Sequence, residues 1–180
     1  FSRGRLRVSV KTRLGYQSVE EFPRLLEIFN RYPIACLTIH ARVRPEKYKG
    51  PLHLDVFAEA LANSKNPVCY NGDLQTVAGV RDLEARFPAA EAVMIGRGAL
   101  GNPWLLGRTA RYLGGTPLAE LPEPSAAERI TMALEHSRRL VARKGEKKGM
   151  PEMRKHLAWY LKGLPRTAAL KEQLFHTRTY

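Results

Sequence analysis

Two glycine-bearing segments, Asn71-Gly72-Asp73 and Gly96-Arg97-Gly98, begin 25 residues apart, each after a short apolar run and before a helix-like stretch. Glycine lets backbone N–H groups approach an anion closely, and the helix start that follows adds partial positive charge. Arg97 adds a permanently charged fork able to clamp a phosphate. Either loop alone is equally well explained as a turn, but two in succession point to a phosphate site. Lys11 and His40 close two further strand-like runs. A lysine at a strand end is ordinarily a solvated tip, and a single histidine there ordinarily a structural imidazole bonded to backbone. Arg42 and Arg44 follow His40 and can contact phosphate, whether of a small molecule or of RNA.

These residues need a scaffold that brings strand ends together. Leu6–Thr12 alternates as a strand, and Ser18 with Glu21 forms a capping box opening a helix to about Arg31, with Leu25, Ile28 and Phe29 as its buried stripe. Ile34–His40 reads as a second strand, followed by a polar loop over Ala41–Pro51 and a helix over Leu54–Ala62. Val68–Tyr70 and Ala92–Ile95 are short apolar strands; helices are expected over Gln75–Phe87 and Asn102–Leu113. The polar or small residues closing the strands, Lys11, His40, Asn71 and Gly96, lie 29, 31 and 25 residues apart, the length of one βα unit.

Four such units predict an α/β fold with a parallel sheet covered on both faces. They fit half of a (β/α)8 TIM barrel or an open doubly wound sheet. Function-bearing types gathered at the C-terminal ends of the strands favour the barrel, whose last two units often hold phosphate. A whole barrel takes about 250 residues, so residues 1–113 are expected to be units five to eight. The first residue is not Met, and the chain is expected to begin inside a longer protein. At the mouth of such a barrel Lys11 gains a second use, stabilising negative charge on a reduced flavin ring.

Residues 114–124, rich in Pro and Gly, read as a linker to a helical segment over 125–180. Ser125 and Glu128 form a second capping box for a helix to about Lys144; Lys144–Gly149 has a flexible, charged composition. A further helix is expected over Glu152–Lys162. Its stripe, Met153, Leu157, Tyr160, Leu161 and Leu164, reads as core, leaving Arg154, Lys155, Lys162 and Arg166 off that face. The chain carries a net charge of +13; residues 125–180 hold 13 Lys and Arg against 5 Glu, a net of +8. A basic tail of this kind meets polyanions, nucleic acid first. Cys36 and Cys69 sit in strand-like runs without metal or disulfide spacing, as reduced core thiols of a cytoplasmic protein do. No apolar run is long enough to span a membrane, and nothing in the sequence calls for an obligate protein partner.

In order and spacing, Val10-Lys11-Thr12-Arg13-Leu14-Gly15, Thr38-Ile39-His40-Ala41-Arg42, Asn71-Gly72-Asp73 and Met94-Ile95-Gly96-Arg97-Gly98-Ala99 resemble the tRNA-dihydrouridine synthase family. So do Asn102-Pro103-Trp104 and the tail segment Arg154-Lys155-His156-Leu157-Ala158-Trp159-Tyr160-Leu161. The resemblance runs from about Val8 to Leu164. Ala41 stands where that family usually has Gly, and Val43 where Thr is common, which blurs the subfamily; His176–Tyr180 matches nothing in it.

The resemblance implies FMN, reduced by NADPH, and saturation of the C5–C6 bond of a uridine in tRNA, with hydride passing to C6 and a cysteine protonating C5. It implies Lys11 beside the flavin ring, His40 near the cofactor or target base, and Asn71, Gly72, Asp73, Gly96 and Arg97 around the ribityl chain and phosphate. Asp73 would take a hydroxyl or amide, since a carboxylate does not suit phosphate. Arg42, Arg44, Arg154, Lys155 and Lys162 would contact RNA. The acid cysteine belongs to the family's first half and matches neither Cys36 nor Cys69, so this chain alone is expected to be inactive. Two rivals stay open: another FMN barrel acting on a small molecule such as a dihydroorotate or an enoate, and a non-catalytic RNA-binding relative.

Overall fold

The computed structural model describes residues 6–165, 167–177 and 179; Arg166 and part of the 176–180 stretch lie outside them. The chain divides into two compact units, residues 1–96 and 97–180.

In the first unit, β1 (Ser9–Arg13), β2 (Cys36–His40), β3 (Val68–Asn71) and β4 (Ala92–Met94) form one parallel sheet in the order β1-β2-β3-β4. Helices α1 (Phe22–Phe29), α2 (Leu54–Asn63) and α3 (Val77–Arg86) make the connections. Order along the sheet follows order along the chain, without the reversal that gives a doubly wound sheet its crevice. One face carries Val10, Leu37, Ile39, Val68 and Tyr70. Tyr70 meets Phe57 of α2 edge-on at 4.9 Å, and Phe57 meets Phe87 at 5.1 Å. Ser9, Lys11, Ala92 and Met94 alternate onto the other face of the edge strands and are exposed. The expected double-sided cover is therefore found on the central strands β2 and β3, while β1 and β4 are covered on one side.

Among the boundaries that differ from the sequence pattern, two have a visible cause. β1 starts at Ser9, not Leu6, because its partner β2 starts only at Cys36, opposite Ser9; Leu6 and Val8 stay exposed. The Ser18–Glu21 capping box forms as expected, but it opens a 3-10 turn, Val19–Glu21, before α1. That turn sets the helix phase so that Phe22 and Leu26 face inward and Ile28 is 42% exposed.

The second unit contains α4 (Trp104–Leu113), α5 (Ala126–Lys144), α6 (Glu146–Tyr160) and α7 (Ala168–His176). Ala133 of α5 packs with Met153, Leu157 and Tyr160 of α6, with Trp104, Met132, Leu140 and Leu174 against them. Four residues of the stripe read as core are buried, Met153, Leu157, Tyr160 and Leu161, while Leu164 is half-buried. Of the stretch expected to be flexible, 144–149, Lys144 ends α5, Gly145 caps it, and Glu146–Gly149 open α6. Gly149 makes this possible: a Cβ there would lie 3.2 Å from the Leu140 carbonyl oxygen and the Val141 Cα of α5. Without a side chain at this position the two backbones approach closely, and a Cβ would push them apart by a few tenths of an ångström. Pro151 sits inside α6 and forgoes one backbone bond. The Pro-rich stretch is also tethered. Buried Leu121 accepts from Arg108 of α4 through its carbonyl, at 3.2 and 2.6 Å, and Arg108 pairs with Glu123 at 2.6 Å.

Candidate functional site

Register decides which side chains meet. Lys11 lies opposite Thr38, and Thr38 opposite Cys69; one residue pair further on, Arg13 lies opposite His40, His40 opposite Asn71, and Asn71 opposite Met94. Neighbouring strands are about 4.8 Å apart and lateral partners share a face. The C-terminal edge of one sheet face is therefore lined by Lys11, Arg13, His40 and Asn71, residues up to 60 positions apart in the chain. Three of these were legible as candidates. Arg13 was missed, although its signal was present: two residues beyond Lys11 on a strand means the same face.

His40 is 6% exposed. Burial pushes its imidazole down to about 4, and the charges of Arg13, Lys11 and Arg42 act in the same direction against Asp73. At neutral pH it is an uncharged ring with one donor and one acceptor nitrogen. Lys11 is also shifted down, first by burial and then by Arg13. Asn71 donates its amide N–H to the Met94 carbonyl at 2.8 Å, which leaves its side-chain oxygen as an acceptor.

Loops continue the sheet beyond the strands. Leu14 N–H donates to Arg42 O and Arg44 N–H to Gly15 O, both at 3.1 Å. Arg13 donates to the carbonyls of Val43 (2.8 Å) and Lys47 (2.7 Å) and lies 5.7 Å from the Tyr48 ring. Glu46 closes the loop: one carboxylate oxygen accepts from Val43 N–H and the other contacts His53 Nε2, both at 2.7 Å. Ala41 and Val43, the two departures from the family pattern, are buried in this loop.

Arg42 is 4% exposed. Its Nε donates to Gly50 O at 2.7 Å, and its two terminal nitrogens donate to the Asp73 carboxylate at 3.0 and 2.5 Å. Asp73 holds a left-handed backbone, φ +42°, to reach it. Both residues, read from the sequence as ligand contacts, are thus engaged with each other. Arg44 is exposed and stacks over Tyr16 at 4.4 Å.

Gly72 and Gly96, one from each loop expected to hold phosphate, differ. A Cβ on Gly72 would stand 2.7 Å from the Tyr70 hydroxyl and 2.8 Å from Leu52, so packing already requires glycine there. A Cβ on Gly96 would meet nothing within 4 Å. Arg97 opens a 3-10 turn, Arg97–Ala99, in the second unit. In that unit Arg154 donates to Thr177 O at 2.9 Å, beyond the end of α7, while Lys155 is exposed and the exposed Lys162 lies 5.2 Å from the Trp159 ring. Both cysteines are free; Cys69 is buried and its thiol is shifted up by that burial. Among the described residues no helix is long and apolar enough to cross a membrane, and no cluster of metal-ligating side chains occurs.

Comparison with known proteins agrees with the motif pattern. The chain is 34% identical over 165 residues to a probable tRNA-dihydrouridine synthase of Rickettsia bellii, covering 91% of this chain and 50% of that protein. It is 38% identical over 172 residues to probable tRNA-dihydrouridine synthase 1 of Synechocystis sp., covering 93% and 46%. It is 35% identical over 162 residues to tRNA-dihydrouridine synthase B of Xanthomonas campestris, covering 89% and 48%. The chain spans about half the length of the curated relatives it matches. The family model described as dihydrouridine synthase (Dus) matches residues 3–180, and the chain belongs to that family.

Proposed function

We propose that this chain is the cofactor-holding and RNA-gripping part of a tRNA-dihydrouridine synthase that uses FMN and NADPH. The observation that carries the reading is the row Lys11, Arg13, His40 and Asn71 at the C-terminal edge of a parallel sheet. In this reading the sheet belongs to the last four units of a TIM barrel over residues 1–113. Residues 114–124 then link it to a basic tRNA-binding segment over 125–180. The unreversed strand order supports the barrel over the open sheet.

The donor set fits a flavin. An isoalloxazine ring presents acceptors along its pyrimidine edge, and a lysine ammonium beside a neutral imidazole N–H supplies donors and positive charge for them. Open space at Gly96 Cβ leaves a backbone N–H approachable by a phosphate, where a side chain would interfere. When bound, the flavin supplies the reducing electrons for the uracil C5–C6 bond. Lys11 stabilises negative charge at the ring edge. His40, held neutral, donates one N–H and accepts at its other nitrogen without adding charge. Asn71 offers an acceptor to a ribityl hydroxyl, and Arg97 contributes permanent charge toward the phosphate.

Arg42 and Asp73 take a different role in this reading from direct ligand contact. Their mutual salt bridge ties the loop after β2 to the loop after β3 and so holds His40 and Asn71 in place. Neither cysteine suits the proton donor: Cys69 is a buried strand residue with a raised thiol pKa, and Cys36 opens β2 at the far end from His40.

The test is to express the full-length protein and measure flavin absorbance, then map dihydrouridine on tRNA from a strain lacking and regaining the gene. Flavin binding with restored dihydrouridine supports the proposal. Flavin without dihydrouridine favours an oxidoreductase acting on a small molecule, and tRNA binding without flavin favours a non-catalytic relative. These 180 residues alone are expected to form no dihydrouridine.

A further inference from the structure

An exposed aromatic side chain, Tyr16, stands beside the site. Tyr16 is 57% exposed, yet the segment that carries it is firmly fixed. Its backbone N–H donates to Glu21 Oε2 at 2.9 Å, and the N–H groups of Gln17 and Ser18 donate to Glu21 Oε1 at 2.8 and 3.0 Å. The preceding Gly15 accepts from Arg44 N–H, and any Cβ on Gly15 would lie 2.0 Å from Ser18 O, so this turn is packed too closely to admit a side chain there. A large ring is thus presented to water by a rigid loop.

Arg44 crosses from the neighbouring loop and lays its guanidinium 4.4 Å from the Tyr16 centroid. Among the described residues no carboxylate lies within ion-pair distance of Arg44. The loop around it also carries Lys47 and Lys49, while its acid Glu46 is engaged with His53 and Val43. The result is an aromatic ring backed by an uncompensated cation, on the same edge of the sheet as Lys11 and His40. Flat rings stacked with arginine bind unpaired nucleobases: the ring supplies area, and the guanidinium supplies charge for the adjoining phosphate.

We propose that Tyr16, backed by Arg44, is a stacking platform for an unpaired nucleotide of the RNA substrate, next to the base that undergoes reduction. The inference rests on the tRNA reading above and adds a residue to it. A uridine drawn out of a folded RNA leaves neighbours unstacked. A rigid platform at the mouth compensates that loss and favours loops over duplex.

The experiment uses the full-length protein with Tyr16→Ala, Tyr16→Phe and Arg44→Ala, measuring unmodified tRNA affinity, KM and kcat for dihydrouridine formation, flavin content and thermal midpoint. Tyr16→Ala is expected to raise both Kd and KM for tRNA about tenfold, the scale of one lost base–aromatic stack. Its kcat, flavin content and thermal midpoint should match those of the parent. Tyr16→Phe keeps the ring and should behave as the parent, and Arg44→Ala should weaken binding with a shallower salt dependence. Parent-like Kd and KM in Tyr16→Ala overturn the platform even if the enzyme is active. Should the parent form no dihydrouridine, the synthase reading fails instead, and the platform is judged by Kd alone; a Tyr16 effect confined to binding an acidic protein would also overturn it.

Discussion

The buried guanidinium of Arg42 is held by both oxygens of the Asp73 carboxylate, 31 residues further along the chain. The pair joins the loops that follow β2 and β3. Asp73 keeps the arginine firmly protonated, and the Gly50 carbonyl takes its remaining Nε–H. Asp73→Ala leaves a buried charge without its partner, at a cost of about 3 kcal/mol. Arg42→Met combined with Asp73→Ala should recover much of that loss. Urea denaturation of the single and double variants checks this. A Tm loss in Arg42→Ala with tRNA affinity per folded molecule unchanged would separate a loop-fixing role from RNA contact.

His40 makes stability depend on pH in a defined direction. Folded, its imidazole titrates at about 4, against an ordinary value of 6.5. Between these values the unfolded chain binds a proton that the folded chain does not. Stability contributed by neutral His40 is therefore complete above about pH 6.5 and is lost as pH falls toward 4. His40→Gln, uncharged throughout, should flatten the dependence of the urea midpoint over that window. An equally steep curve in the variant would assign the acid sensitivity to other groups.

Three glycines separate packing from ligand approach. Gly101→Ala would place a Cβ 2.4 Å from the Trp159 carbonyl carbon at φ +69°, and should cost about 2–4 kcal/mol. Gly72→Ala forces Tyr70 and Leu52 apart and should also lower the thermal midpoint. Gly96→Ala meets nothing, so the midpoint should hold while FMN affinity of the full-length protein drops about tenfold. Calorimetry and flavin titration distinguish the two effects; a Gly96 variant with undiminished FMN affinity would remove that residue from the phosphate site.

The basic surface of the second unit divides likewise. Lys155 and Lys162 are exposed, so their Ala substitutions should each lower the salt dependence of tRNA binding by about one counterion without changing stability. Arg154→Ala should lose stability as well, since its Nε donates to Thr177 O. An unchanged salt slope in the Lys155→Ala, Lys162→Ala double variant would mark this charge as a solvated face.

Much of this was present in the order of residues. Apolar runs closed by Lys11, His40, Asn71 and Gly96 at βα spacing determine four parallel strands. Two capping boxes determine where the helical segments at Ser18 and Ser125 begin, because caps are local hydrogen bonds between residues three apart. Six motifs in order determine the family. Tertiary structure decided what each charged side chain touches. Arg42, Arg44 and Arg13 are alike in sequence, yet one is buried on Asp73, one stacks on Tyr16 and one pins the carbonyls of Val43 and Lys47. Helix over 146–149 was likewise hidden, because Gly149 there serves a contact with α5. Local pattern specifies elements; strand register and close approach between distant segments set partners, and those depend on residues 20 to 40 positions apart.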